Sequence, residues 1–324
     1  MCATLALAGD TMLGRGVAER LRADSSAPLF APEITAFVAK ADAFVLNLEC
    51  CISDRGVPFP EPGKPFFFRA PPIAAQRLAD LGVDAVTLAN NHALDYGGDA
   101  LLDTLAYLES VGIVTVGAGE NEDSARQPQL LRCGEIELRL VAFSDHPASY
   151  AAGPQQPGIA FADLRSGFPA WLEEAVNAAG GGETRIVAPH WGPNMVAEPL
   201  PHVRRTAHAL LAAGATLIAG HSAHVFQGVA PRVLFDLGDF LDDYAVDWTM
   251  RNDLGLLWLV DLAAGGVDRV RALPVSLDYC FTRAASPPEA DWIVGRLRAL
   301  SAPFGTEVDW REGLIELRSG SSEM

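Results

Sequence analysis

The sequence lacks any long apolar run. Crossing a bilayer takes roughly 18 to 20 consecutive apolar residues, and the longest candidate, Ala207 to Gly220, is broken at Gly214 and runs into His221. A membrane anchor is therefore not expected. Basic side chains are scarce: 24 Lys and Arg stand against 41 Asp and Glu, a formal charge of −17 at neutral pH. That field repels phosphate backbones and anionic lipid, so neither nucleic acid nor a membrane is expected as a partner. Cysteine is sparse and unpatterned. The five residues (Cys2, Cys50, Cys51, Cys133 and Cys280) are odd in number, show no C-x-x-C spacing and include a vicinal pair that would be strained as a disulfide. A reducing compartment fits them, and the expected location is cytoplasmic. No basic leader precedes Ala3 to Ala8, which runs into Gly9-Asp10 rather than a cleavage site and reads as a strand. With 49% hydrophobic and 20% charged residues over 324 positions, the chain is globular, and collagen, coiled coil and disorder are excluded.

Short β-branched runs alternate with helical patterns, which argues an α/β fold. Strands are expected at Thr4 to Ala8, Ala43 to Leu48, Ala85 to Ala89, Arg185 to Ala188 and Thr216 to Ala219. Helical spacing marks Pro71 to Leu81, Asp99 to Ser110 and Val203 to Ala213, the first and last each closing on a glycine suited to the left-handed C-cap. Leu130 to Phe143 and Gly255 to Leu277 read as hairpins, the second turning at Ala264-Gly265-Gly266, so the sheets should be mixed. The Pro-rich segment Val57 to Pro72 and the segment Pro147 to Pro157 read as long surface loops of the kind that wall a substrate. The expected organisation is one domain over 1–285, a helix-and-strand appendix over 286–318 packed on it, and a frayed tail over 319–324.

Each of the five strands ends in a polar cluster: Asp10; Glu49; Asn90, Asn91 and His92; His190; and His221 with His224. Asp, Glu, Asn and His ligate divalent first-row metals, and the carboxyl ends of neighbouring strands converge in one crevice. One histidine at a strand end is ordinarily a loop hydrogen-bonder. Five clusters at once point instead to a metal centre.

The strings GDTMLGR (Gly9 to Arg15), NLE (Asn47 to Glu49), LANNHALDYG (Leu88 to Gly97), HWG (His190 to Gly192), GHSAHVFQ (Gly220 to Gln227) and LFDLGDF (Leu234 to Phe240) resemble the CapA family. That family is named for poly-γ-glutamate capsule synthesis and belongs to the calcineurin-like metallophosphatase superfamily. The resemblance runs from about residue 3 to about residue 260. It implies a four-layer α/β/β/α sandwich with mixed sheets and metal at the strand ends. By that resemblance Asp10 is the first metal aspartate, Glu49 the bridging carboxylate, Asn91 a ligand, His92 the outer acid/base, and His190 and His221 the later ligands. His224 stands three residues after His221, where the superfamily spaces its pair by two. Met12 stands where the superfamily carries a second histidine ligand, and a thioether is a poor donor for a hard or borderline cation. The expectation is therefore one firmly held divalent ion, Mn, Fe, Zn, Co or Ca, on Glu49, Asn91, His190 and His221.

A single Lewis acid beside ionisable side chains suits proton abstraction next to a carboxylate. CapA-like proteins also occur as peptide epimerases of ribosomal-peptide pathways, lasso peptides among them. The resemblance thus implies L-to-D epimerisation at a Cα near the C-terminal carboxylate of a peptide or precursor peptide, with His92 as base, Asp95 orienting it, and His224 or Asp10 opposite. The alternatives are a metal-dependent phosphoesterase, poly-γ-glutamate-type amide chemistry, or a non-catalytic carboxylate-binding scaffold. Arg15 and Arg69 are candidates to pair with a substrate carboxylate, Lys64 to assist from the Pro-rich loop, and Trp191 to wall a peptide side chain. For each, a surface ion pair or ordinary packing is the plain alternative. Asp239 is expected to support a ligand from behind, and His146, ahead of Pro147, is a lesser candidate.

Overall fold

The strand Cys2–Thr11 sorts its side chains by the two-residue period of a pleated strand: Leu5 and Leu7 enter one core, Ala6 and Ala8 another. Every central strand repeats this split, because each is covered on both faces. A computed structural model describes residues 2–177, 184–263 and 266–319. Within it, the first sheet runs in the spatial order Thr306–Arg311, Leu314–Ser319, Gly266–Asp278, Leu254–Ala263, Cys2–Thr11, Ala43–Leu48, Ala85–Thr87, Val114–Val116. Its last four strands are parallel and the others antiparallel. The second sheet runs Val229–Ala230, Val233–Leu234, Leu217–Ala219, Thr184–His190, Ile136–Ser144, Gln129–Cys133, parallel through its middle four.

Three cores separate four layers. Helices Arg15–Ala23, Pro32–Val38, Ile73–Leu81 and Gly98–Ser110 cover the first sheet with Val17, Leu21, Ile34, Phe37, Leu78, Leu101 and Leu108. Leu5, Leu7 and Trp258 of the first sheet meet Leu138, Leu140 and Ile186 of the second in the middle. Helices Ala170–Asn177 and Pro201–Ala212 close the far side with Leu172, Val203 and Leu210 over Val141, Val187 and Ile218. This is the α/β/β/α sandwich with mixed sheets expected of a calcineurin-like metallophosphatase.

Several boundaries differ from the sequence reading, each for a local reason. The third strand stops at Thr87 because Asn90 N–H turns back to Leu88 O at 2.9 Å. The expected appendix is built into the body: Thr306–Arg311 and Leu314–Ser319 extend the first sheet, while Ile293, Val294 and Leu297 of the helix Pro287–Ser301 fill the core between the sheets. Ser319, assigned to the tail, lies in the last strand. The rest of that tail, and the turn residues Ala264 and Gly265, lie outside the described residues. Among the described residues no helix is long and apolar enough to cross a membrane.

Candidate metal centre

Parallel strands in both sheets point their carboxyl ends to the same rim, where the sheets meet. Two glycines permit the approach. A β-carbon on Gly9 would lie 1.8 Å from Gly238 O, and one on Gly220 would lie 2.0 Å from Phe235 O. With Gly9 bare, Asp10 N–H donates to Gly238 O at 2.9 Å and Asp10 pairs in register with Asp239.

Asp10 is the hub of this rim. Its Oδ1 accepts Asn47 Nδ2 at 2.8 Å, and Asn47 is itself held through Oδ1 by Thr87 and Asn90, each at 3.0 Å. Glu49 follows its strand directly; its Oε1 lies 2.7 Å from His190 Nε2. His221 Nδ1 stands 3.2 Å and His224 Nδ1 3.5 Å from the Asp10 oxygens, and His224 Nδ1 also meets Asp239 Oδ1 at 2.8 Å. Two triads result, Asp10–Glu49–His190 and Asp10–His224–Asp239, each with its donor atoms within 4.8 Å of one another.

Burying polar atoms without partners costs about 1 to 3 kcal/mol apiece. Here Glu49 Oε2, Asn91 Oδ1, His190 Nδ1 and Asp239 Oδ2 are buried without a hydrogen bond, as is His221 Nδ1 despite its approach to Asp10. Such a concentration of orphans on one rim is explained by a cation, and oxygen with imidazole nitrogen is the donor chemistry of divalent metals. The electrostatics agree. Burial and the charge of Asp10 push the Glu49 carboxyl well above its usual range, and burial with the charge of Asp242 does the same to Asp239. Burial opposes the charge of Asp10 as well, but His221, His224 and His190 outweigh it and hold that carboxyl low. Burial, then His146, drives His190 toward the neutral form, while at His224 the effect of burial is outweighed by Glu49 and Asp10, which favour the cation. A positive ion among these groups would relieve the repulsion between the carboxylates.

Beside the triads stands a buried His–Asp pair. His92 Nδ1 lies 2.7 Å from Asp95 Oδ2, and the ring stacks on Phe68 at 4.0 Å. Asp95 is fully buried and fully used: it also accepts Phe68 N–H at 2.6 Å, Tyr150 O–H at 3.0 Å and Lys64 Nζ at 2.9 Å. Burial lowers the His92 imidazole to about 4 against the pull of Asp95, so it is neutral at pH 7.

The remaining candidates separate cleanly. Lys64 is committed to Asp95 and to the Asn91 carbonyl. Arg69 is turned to Tyr96, 4.1 Å from the ring centre, and donates to the Arg55 and Gly56 carbonyls. Trp191 is not a substrate wall: its ring lies in the third core against Phe143, and Nε1–H donates to Phe235 O at 2.9 Å. Met12 is turned away from the donors, its Sδ accepting Gly14 N–H at 3.0 Å. Arg15 lies with its guanidinium over Phe68 and Tyr244, the rings packed on His92 and His224.

The geometry groups three residues differently from the sequence reading. Asp10, rather than Glu49, is common to both triads; His224, expected as an acid/base group, and Asp239, expected as a support, both place donor atoms in the second. With Met12 withdrawn, that triad still gives the rim two donor sets where one held ion was expected. Sequence reasoning also undervalued Asp145–His146, whose Oδ1 and Nδ1 are 2.5 Å apart with the imidazole 5.1 Å from that of His190. Asp236, not a candidate on sequence, is buried and pins Ala223 N–H at 2.8 Å and Gly238 N–H at 2.9 Å. Its signal was the apolar company of Phe235 and Leu237.

Residues 4–244 match the family model described as bacterial capsule synthesis protein PGA_cap. The chain belongs to that capsule synthesis family. A probable polyglutamine synthesis accessory protein of Mycobacterium tuberculosis is 29% identical over 97% of this chain and 95% of its own length. The PGA biosynthesis protein CapA of Bacillus subtilis is 26% identical over 83% of this chain and 70% of its own. Among solved structures, a hypothetical protein from Thermus thermophilus superposes with a TM-score of 0.50 at 13% identity, covering 84% of this chain and 98% of that one, which speaks to the fold alone.

Proposed function

We propose that this capsule-family chain is a metal-dependent enzyme of hydrolase type, acting on an amide-linked substrate such as a glutamyl polymer or peptide, with His92 as its proton carrier. The observation that carries this reading is the set of orphaned donor atoms on one rim with a buried His–Asp pair beside it. The names of the relatives, polyglutamine synthesis and PGA biosynthesis, supply the substrate class. A divalent cation in such a donor set supplies Lewis acidity toward a carbonyl or phosphoryl oxygen. The protein's own residues supply the rest. Asp95, fixed by Lys64, Tyr150 and the Phe68 amide, fixes the His92 tautomer and leaves Nε2 free to take a proton and then pass it to a departing amine or back to substrate. Phe68 keeps water from one face of that imidazole.

Cα epimerisation is the second reading, favoured by Asp145–His146, a further His–Asp pair on the His190 side of the centre. Inversion at carbon requires two proton carriers, and this pair is a candidate for the second. One experiment separates the readings: mass spectrometry of α- and γ-linked glutamyl peptides and an aryl phosphate, incubated in deuterated water with protein loaded with Mn, Fe, Zn, Co or Ca, with chelated and His92→Ala controls. Metal-dependent shortening of the peptide supports hydrolysis. Gain of one deuteron at constant length selects epimerisation. Release of phosphate redirects the reading to phosphoester chemistry, and binding without conversion leaves a carboxylate-binding scaffold.

A further inference from the structure

Arg15 opens the helix Arg15–Ala23 at a φ of +47°. A side chain with a β-carbon is disfavoured there, and strain of this kind is retained where the surroundings make use of it. Arg15 Nε lies 3.3 Å from Asp243 Oδ2, and the same oxygen accepts Gly16 N–H at 2.9 Å, so the guanidinium is tethered along its inner edge. Its charge lies over three rings, with Cζ 5.2 Å from the centre of Phe66, 5.9 Å from Phe68 and 6.0 Å from Tyr244. The side chain is 38% exposed, and among the described residues its terminal nitrogens make no hydrogen bond, its ion pair to Asp243 running through Nε.

These rings lead to the chemistry. Phe66, 53% exposed, stacks on Phe68 at 6.4 Å; Phe68 stacks on His92 at 4.0 Å; Tyr244 stands edge-on to His224 at 5.5 Å. A guanidinium laid on aromatic faces keeps its in-plane N–H fork free, the geometry that matches a carboxylate. Lys64 and Arg69, the other cations considered for this task, are engaged elsewhere. In a chain of net charge −17, a tethered cation with an open fork is the feature that makes this rim attractive to an anion.

We propose that Arg15, held by Asp243 across Phe66, Phe68 and Tyr244, is the anchoring site for a substrate carboxylate, with the adjoining part of the substrate lying along Phe66 and Phe68 toward His92. The identity of the reacting bond rests on the function proposed above; the binding does not. The test is calorimetry on the metal-loaded full chain carrying His92→Ala, which separates binding from turnover. The probes are N-acetyl γ-linked triglutamate and the same peptide with every carboxylate amidated. The acid form should bind about tenfold more tightly or better, the scale of a charge-assisted pair. Arg15→Gln should remove that preference and leave the amidated form within about twofold. Asp243→Asn, which frees the tether, should lose part of it. Metal content should be unchanged in Arg15→Gln and in Arg15→Gly, and Arg15→Gly, which relieves the left-handed backbone, should melt no lower than its parent. The proposal is overturned if Arg15→Gln binds the acid peptide like its parent, if it loses both peptides equally, or if the parent binds neither at roughly 10 mM. Failure of the His92-intact protein to convert a peptide that binds this way would overturn the reaction and leave the anchor standing.

Discussion

Loading this protein with a divalent cation should raise its melting temperature, and Glu49→Gln should cut the rise while leaving the metal-free protein nearly as stable as before. The reasoning starts from Glu49, fully buried with Oε2 unpartnered and its carboxyl pushed up by burial and by Asp10. Without a cation, an isosteric amide replaces a carboxyl already driven toward its neutral form, so little is lost. With a cation, the same change removes a donor from the first triad. A cation present at a hundred times its Kd stabilises the folded state by about 2.7 kcal/mol. An unfolding entropy of about 2.1 cal/mol/K per residue gives this 324-residue chain roughly 0.7 kcal/mol/K. The rise should therefore be roughly 4 °C, and about 6 °C at a thousand times Kd. Scanning calorimetry with chelator and with Mn, Zn or Co added in turn reads it directly. A rise that persists undiminished in both Glu49→Gln and Asp10→Asn, or a wild-type protein indifferent to every cation, would refute the assignment of the rim as a metal centre.

Other consequences are equally specific. His92→Ala should lower turnover by about a hundredfold to ten-thousandfold with metal content intact, measured by steady-state kinetics beside metal analysis. Asp95→Ala should cost about 3 to 5 kcal/mol in denaturant unfolding, because Lys64, Tyr150 and the Phe68 amide lose a buried partner together; a loss under about 1 kcal/mol would show that the network relaxes. Gly9→Ala should destabilise by about 3 kcal/mol or more and blunt the cation response, since its β-carbon would press on Gly238 O and move Asp10. Glu289, held at about 2 by Arg283 against partial burial, and by Ser286, has a folded value below its unfolded one, so its stabilisation is present above about 4.5 and is lost as pH falls toward 2. Glu289→Gln should remove about 1 kcal/mol of that acid-sensitive stability, after allowance for solvent around a partly exposed pair, and flatten the acid limb of a stability curve.

Much of the fold was legible because each central strand is buried on both faces and therefore reads as an unbroken apolar run closed by a polar residue. Ala43 to Leu48, ending at Glu49, is the clearest case, and Asp10, His92, His190 and His221 stand out for the same reason. What was hidden depends on how the two sheets approach each other. Asp10 serves both triads only because Gly9 and Gly238 let the strand Asp239–Leu241 pair beside it, a contact invisible in local pattern. Asp236 sat in an acidic stretch that reads as solvated loop until the tertiary packing buries it, and Asp239 within it was expected only as a support. Trp191 adjoins His190 in sequence, yet alternation in direction sends it into the opposite core. The terminal helix and strands carried ordinary amphipathic patterns that reveal no partner, so their place in the first sheet and the middle core was not readable.

Asp10, Glu49 and Asp239 belong to the first sheet and its strand ends, His190 and His224 to the second, so each triad is a bridge between the halves of the sandwich. No fragment of either half carries a complete triad, and a growing chain cannot assemble one until His190 has been made and the sheets have met. Cation capture is then a late event in folding that rewards only correctly docked chains, and a bound ion acts as a cross-link on the rim of an otherwise apolar seam. Metal retention becomes a gauge of assembly: a variant whose sheets slip by one register should shed its ion before it loses its secondary structure.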